Sequence, residues 1–71
     1  MEIQIQITTK YGTFLGEVIK VTSDQYNVII EMSKNFYETG FEMNTEDGGF
    51  IIIPPDIVKD SILKINLINN V

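Results

Sequence analysis

The chain has no cysteine and no histidine among its 71 residues. Disulfide cross-links are therefore excluded. A zinc site would have to be built from carboxylates alone, outside the usual nitrogen and sulfur donor set. Tryptophan is absent, and three tyrosines and four phenylalanines leave few large side chains to fill a core. Arginine is absent too, since the five basic residues are Lys10, Lys20, Lys34, Lys59 and Lys64. Ten acidic residues oppose them, for a net charge of −5. That balance argues against a protein that grips duplex phosphates with clustered cations. It also removes bidentate arginine contacts to phosphate or guanine. The longest apolar run, Phe50 to Pro55, is far too short to span a bilayer. Glu2 and an alternating pattern stand where a secretory leader would carry a basic and then an apolar region. The expectation is a soluble cytoplasmic protein with no membrane association, and the missing cysteine fits a reducing compartment.

Catalytic chemistry has little to stand on. There is no Gly-rich phosphate loop. Ser23, Ser33 and Ser61 have no base beside them in a recognisable arrangement. The expectation is a protein that is not an enzyme and uses no cofactor or metal. A stretch holding Glu38, Glu42, Asn44, Glu46 and Asp47 is acidic, but it lacks the regular oxygen spacing of a calcium loop and reads as a solvated hairpin face.

What the chain does have is apolar content. It is 44% hydrophobic and rich in isoleucine. A domain of this length buries only about 60% of the surface its unfolded chain exposes. With disulfides excluded and metal disfavoured, self-association is the remaining support.

The pattern along the chain is mostly that of strands. Ile3, Ile5 and Ile7 alternate with Glu2, Gln4, Gln6 and Thr8, the period of a half-buried strand. Thr9-Lys10-Tyr11-Gly12 is a turn. Phe14 to Val21 reads as a second strand interrupted at Gly16, which marks a bulge or sharp bend. Thr22 to Gln25 reads as a polar connection and Tyr26 to Met32 as a third strand. Phe36 to Asn44 alternates as a further strand. Asp47-Gly48 predicts a type I′ hairpin turn, followed by a short, fully buried strand Phe50 to Ile53. Pro54-Pro55 ends that strand, and Pro55 to Ser61 suits one helical or 3₁₀ turn. Ile62 to Ile68 is the last strand, and Asn69-Asn70-Val71 is expected to fray. The sum is a single all-β domain over residues 1–71. It is a small SH3-like barrel of five to six strongly bent antiparallel strands, with one short helical turn before the last.

Within that class the chain resembles the Sm and Sm-like proteins. Ile3-Gln4-Ile5-Gln6-Ile7 is similar to the family's first strand, and Gly12 and Gly16 to its two glycines. Asp24-Gln25-Tyr26-Asn27-Val28-Ile29-Ile30 is similar to its loop and third strand, and Phe50 to Ile65 to its second motif. Pro54-Pro55 stands where the family has an Arg-Gly pair. Such departures make the likeness greatest to the divergent Sm-like proteins of phages, including cyanophages; a phage protein would act in the host cytoplasm. The resemblance implies a homo-oligomeric ring in which the fourth strand of one subunit pairs with the fifth of the next. Phe50 to Ile53 and Ile62 to Ile68 are the candidate edges. It also implies binding of single-stranded RNA or DNA near the pore, with a role in RNA or DNA processing.

The candidate contacts follow from residue chemistry. In Asp24-Gln25-Tyr26-Asn27, tyrosine offers a face for base stacking, and the amides can bond base edges. The competing reading is that Asp24 caps a turn and Tyr26 merely begins a strand. Lys10 and Tyr11 place a cation beside an aromatic ring, or form an ordinary solvated turn. Pro54, Pro55 and Asp56 read as structural punctuation. A second functional class stays open: an SH3-like module that binds protein, with Phe36, Tyr37 and Phe41 as its exposed patch.

Overall fold

The computed structural model describes residues 1–69, the last through its backbone alone. Of the fraying expected over Asn69-Asn70-Val71, the Asn69 backbone instead ends a strand and pairs with Glu2, and Asn70 and Val71 lie outside the described residues. Among the described residues five strands carry the fold: β1 (Glu2–Thr9), β2 (Gly12–Lys20), β3 (Phe41–Asn44), β4 (Phe50–Ile53) and β5 (Ile62–Asn69). Three helices interrupt them: α1 (Ser23–Ser33), α2 (Phe36–Thr39) and α3 (Pro55–Val58). All strand pairing is antiparallel, in a three-stranded sheet of order β2-β1-β5 and a two-stranded sheet β3-β4. The small all-β class holds, but the sheets do not close into a barrel. Among the described residues they meet at the bridge Gly16–Thr45 and at the hydrogen bond from the Glu46 amide to the Leu15 carbonyl, 3.0 Å.

The alternation of β1 fixes its faces. Ile3 and Ile7 are essentially fully buried, and Ile5 is half-buried. Opposite them on β5 stand Leu67, Leu63 and Ile65. On the other face Gln4, Gln6 and Thr8 stand opposite Asn66, Lys64 and Ile62. The bend expected at Gly16 is present. Gln4 pairs with Val18 and Gln6 with Leu15, so β2 carries one more residue than β1 across that step. A Cβ on Gly16 would lie 2.9 Å from the Met43 sulfur. The Gln4 amide nitrogen ties the bulge to the hairpin, donating to the Gly16 carbonyl at 2.9 Å and to Glu46 Oε2 at 3.0 Å.

The strand expected over Tyr26 to Met32 is instead the helix α1. Thr22 and Gln25 form a capping box at its start, satisfying amides that a helix N-terminus leaves free. Tyr26, Ile29, Ile30 and Ser33, spaced three and four apart, are its half-buried face. No residue of α1 is buried, and Val28 and Met32 are exposed.

The strand expected over Phe36 to Asn44 also divides. Phe36–Thr39 is the helical turn α2, and β3 begins only at Phe41. Between them Gly40 takes φ +83°, the left-handed region open to glycine, and its amide donates to the Phe36 carbonyl at 2.9 Å. The alternation seen in the sequence therefore spans a helical turn and a strand. The β3–β4 turn is not type I′, which needs positive φ at both central residues. Gly48 has φ +88°, while among the described residues no non-glycine has a positive φ. The Gly48 amide donates to the Thr45 carbonyl at 3.1 Å and the Thr45 amide to the Gly49 carbonyl at 2.9 Å. That pattern suits a three-residue loop, Glu46-Asp47-Gly48, with glycine at the left-handed position.

The helical turn expected before the last strand is α3, with Pro55 at its first position. It contributes Val58 to a core of Ile7, Phe41, Ile53 and Val58. Phe36 packs on this cluster, its ring centroid 4.7 Å from that of Phe41 and edge-on at 60°. With Ile3, these make five buried hydrophobic side chains among the described residues. At roughly 1.5–3 kcal/mol for each fully buried side chain, that is a small reserve against the entropy of ordering the chain.

Candidate functional site

Lys10 and Tyr11 lie in the β1–β2 turn, as expected. Thr9 holds the turn: its Oγ1 accepts from the Tyr11 amide at 3.0 Å and donates to the Gly12 carbonyl at 3.2 Å. Gly12 takes φ +135°. The Tyr11 ring projects outward, with the residue 72% exposed, and Lys10 Nζ stands 5.4 Å from the ring centroid. A cation on one face of the ring leaves the other face for a second planar group.

Tyr11 is not isolated. It lines a groove of about 390 Å³ with Phe14, Ile52, Pro54, Asp56 and Ile57. Pro54 and Asp56, read from sequence as punctuation, are thus neighbours of Tyr11. Phe14, Ile52 and Ile57 were not singled out. No local spacing joins them to Tyr11, because β-sheet register and the α3 turn bring them together. A second groove of about 490 Å³, lined by Phe36, Gly40, Phe41, Glu42, Ile52 and Pro55 among others, shares β4 residues with the first.

Asp24, Gln25, Tyr26 and Asn27 do not form a loop; they are the opening residues of α1. Gln25 is committed to the helix. Its Oε1 accepts from the Thr22 amide at 2.8 Å, and its own amide donates to Thr22 Oγ1 at 3.1 Å. Tyr26 is half-buried, while Asp24 and Asn27 are exposed. The nine residues of β2 separate this group from Lys10 and Tyr11. At about 3.3 Å per residue that strand reaches at most about 30 Å, and the two groups flank its opposite ends. They are two surfaces rather than one site.

The proposed aromatic patch for protein binding also divides. Phe41 is buried and Phe36 half-buried against it, leaving Tyr37 exposed. Of the exposed large apolar residues, Phe50, Ile52, Ile62, Leu67 and Ile68 lie on β4 and β5, while Val18 and Ile19 lie on β2 and Val28 and Met32 on α1. β4 pairs with β3 alone and β5 with β1 alone among the described residues. Phe50 and Ile52 of β4 are 57% and 70% exposed, so the full burial expected of this strand does not occur. Alternation sends Ile51 and Ile53 inward and Phe50 and Ile52 outward. On β5, Ile62 is 70% exposed, and Leu67 and Ile68 about half. The central strand shows the opposite choice, with Gln4, Gln6 and Thr8 on its outer face.

One carboxyl has a shifted affinity for its proton. The Thr45 hydroxyl donates to Asp47 Oδ1, and the Gly49 amide donates to the same atom at 3.1 Å. These bonds hold the Asp47 carboxyl below its usual range. The arrangement closes the hairpin loop and presents no catalytic partner. Among the described residues no group of three or more Asp or Glu side chains is placed to hold a metal ion, and no helix is long and apolar enough to cross a membrane. No protein-family model matches the chain, and neither does any curated protein or solved structure.

Proposed function

We propose that the protein is a homo-oligomeric Sm-like module, assembled edge to edge through β4 and β5, that holds single-stranded nucleic acid at the Lys10–Tyr11 turn. The observation that carries this reading is the pair of open edges bearing exposed isoleucine and phenylalanine beside a polar central strand. Solitary domains blunt such edges with charge, proline or a cover. The small core also favours assembly, because edge pairing would supply burial that one chain lacks. The order β5-β1-β2, a bulged β2 and a helical turn before β5 support the Sm-like comparison. α1 in place of the third strand departs from it.

For the ligand, an exposed tyrosine with a lysine on one face supports stacking on an unpaired base. A net charge of −5 gives little general attraction for phosphate, so each contact is weak and repetition around the assembly supplies the affinity. Light scattering over a range of concentration and salt tests the assembly. Several copies of the 8.1 kDa chain are expected, about five to seven if the contact closes a ring. A fluorescent single-stranded RNA and a DNA oligonucleotide, titrated at low salt, test the ligand. A monomer at all concentrations sinks the assembly, and an assembled protein that binds neither oligonucleotide leaves a protein-binding or structural module.

A further inference from the structure

We propose that Lys64 selects the partner edge, seating against Glu42 of a second copy so that β5 pairs with β4 and neither edge pairs with itself. The proposal rests on the edge-to-edge reading above and adds its specificity. The two edges carry opposite charge. From Phe41 to Ile53 the β3–β4 hairpin has three carboxylates, Glu42, Glu46 and Asp47, and no lysine. From Ile62 to Asn69, β5 has one lysine, Lys64, and no carboxylate.

Within the hairpin two of the three carboxylates are engaged. Glu46 accepts from Gln4 at 3.0 Å, and Asp47 accepts from Thr45 and Gly49. Among the described residues the one ion pair is Lys34–Glu31, and neither Glu42 nor Lys64 has a salt-bridge partner there. Both are exposed. Glu42 stands opposite Ile52 on the outer face of the hairpin, and Lys64 opposite Gln6 on the outer face of the larger sheet.

A β5 strand laid antiparallel on the free edge of β4, with Lys64 opposite Ile52, keeps both alternations in phase. Ile51 then meets Ile65, and Ile53 meets Leu63, on the inner face. On the outer face Glu42 and Lys64 flank Ile52, two strand spacings or about 10 Å apart at the backbone. A lysine stem laid over exposed Ile52 spans that gap while covering apolar surface. Self-pairing of β4 would oppose hairpins of like negative charge. Self-pairing of β5 would bring two Lys64 side chains together, and like charges facing across a ladder are destabilising. A β4–β5 contact is head-to-tail, so it generates a ring or a filament rather than a two-fold dimer.

Charge reversal tests this. Lys64→Glu and Glu42→Lys are each expected to weaken self-association by about tenfold or more through like-charge contact. Lys64→Gln is expected to fall between Lys64→Glu and the unmodified protein. An equimolar mixture of the two reversed variants restores assembly into open arrays or even-numbered rings, because every contact in an alternating array again joins opposite charges. The double variant restores it as well. Circular dichroism of each variant reports that the exposed substitution leaves the fold intact. If the unmodified protein assembles and Lys64→Glu assembles equally well, or if neither the mixture nor the double variant recovers, the Lys64–Glu42 contact is overturned while edge pairing stands. An unmodified protein that stays monomeric overturns both.

Discussion

Thr22 and Gln25 satisfy each other's backbone. The Thr22 amide donates to Gln25 Oε1 at 2.8 Å, and the Gln25 amide to Thr22 Oγ1 at 3.1 Å. An isolated helix of eleven residues is marginal in water, and α1 buries none of its residues, so its caps matter more than usual. Thr22→Ala is expected to cost about 1 kcal/mol of stability. Gln25→Ala removes the reciprocal bond and costs less. The double variant should cost less than the sum of the two, since each side chain supports the same first turn. Urea unfolding followed by far-ultraviolet circular dichroism measures all three. Strict additivity would show that the two bonds act independently.

Much of the fold was legible because it is written locally. The Ile3-Ile5-Ile7 alternation, the interruption at Gly16 and the Pro54-Pro55 stop each carry their own signal, and each stands in the structure. α1 was legible too, but two signals conflicted. Val28-Ile29-Ile30 is β-branched throughout and suits a strand. Thr22 and Gln25 in a Thr-x-x-Gln spacing, with Tyr26, Ile29, Ile30 and Ser33 three and four apart, suit a capped amphipathic helix. The helix wins because the capping box meets backbone groups that a propensity scale does not count. The period-two pattern of Phe36 to Asn44 misled for a different reason. Only the backbone turn at Gly40 reveals that its first half is helical. The groove beside Tyr11 was not legible at all. Ile52 and Ile57 reach it through sheet register and the α3 turn, which no spacing along the chain encodes.

Gly40 is the position where a single methyl group should cost most. Its φ of +83° disfavours any side chain, and a Cβ there would stand 2.9 Å from the Ile53 carbonyl oxygen, a backbone atom that cannot rotate away. Gly40→Ala is expected to destabilise by roughly 1–3 kcal/mol. Gly48→Ala shares a positive φ, but its Cβ meets nothing within 4 Å, so it should cost less, about 1 kcal/mol. Thermal melts of the two variants check the order. An equal loss would mean that the contact with Ile53 contributes nothing beyond backbone strain.

Asp47 gives the hairpin a dependence on acid. Its carboxyl is held below the usual value by the Thr45 hydroxyl and the Gly49 amide. A carboxyl depressed in the folded state adds stability above its unfolded value, and that contribution is lost as pH falls through the folded one. The contribution should therefore begin to fade as pH falls through the range where a free aspartate protonates, and be gone only below the lower value of the folded hairpin. Titration of the Asp47 carboxyl carbon by NMR should place its midpoint below that of the same residue in an unstructured peptide. Thr45→Val removes the larger cause and should raise the midpoint toward the peptide value. An unchanged midpoint in that variant would assign the depression to the Gly49 amide alone.

Tyr11 and Tyr26 offer the same chemistry in different settings, and that difference separates contact from scaffold. Tyr11 is 72% exposed on a turn that Thr9 fixes through backbone bonds, so its ring can be removed without touching the core. Tyr26 lies on the half-buried face of α1. If nucleic acid stacks at the β1–β2 turn, Tyr11→Ala should weaken binding of a single-stranded oligonucleotide by about 1–3 kcal/mol for each base that stacks there, with the oligomeric mass and melting temperature unchanged. Tyr11→Phe, which keeps the ring face, should bind nearly as the unmodified protein does. Tyr26→Ala should lower the melting temperature and leave affinity close to normal below the melt. Fluorescence anisotropy beside light scattering separates these outcomes. Loss of binding in Tyr26→Ala with its fold intact, and none in Tyr11→Ala, would move the contact to the opening turns of α1, where Asp24 and Asn27 stand exposed.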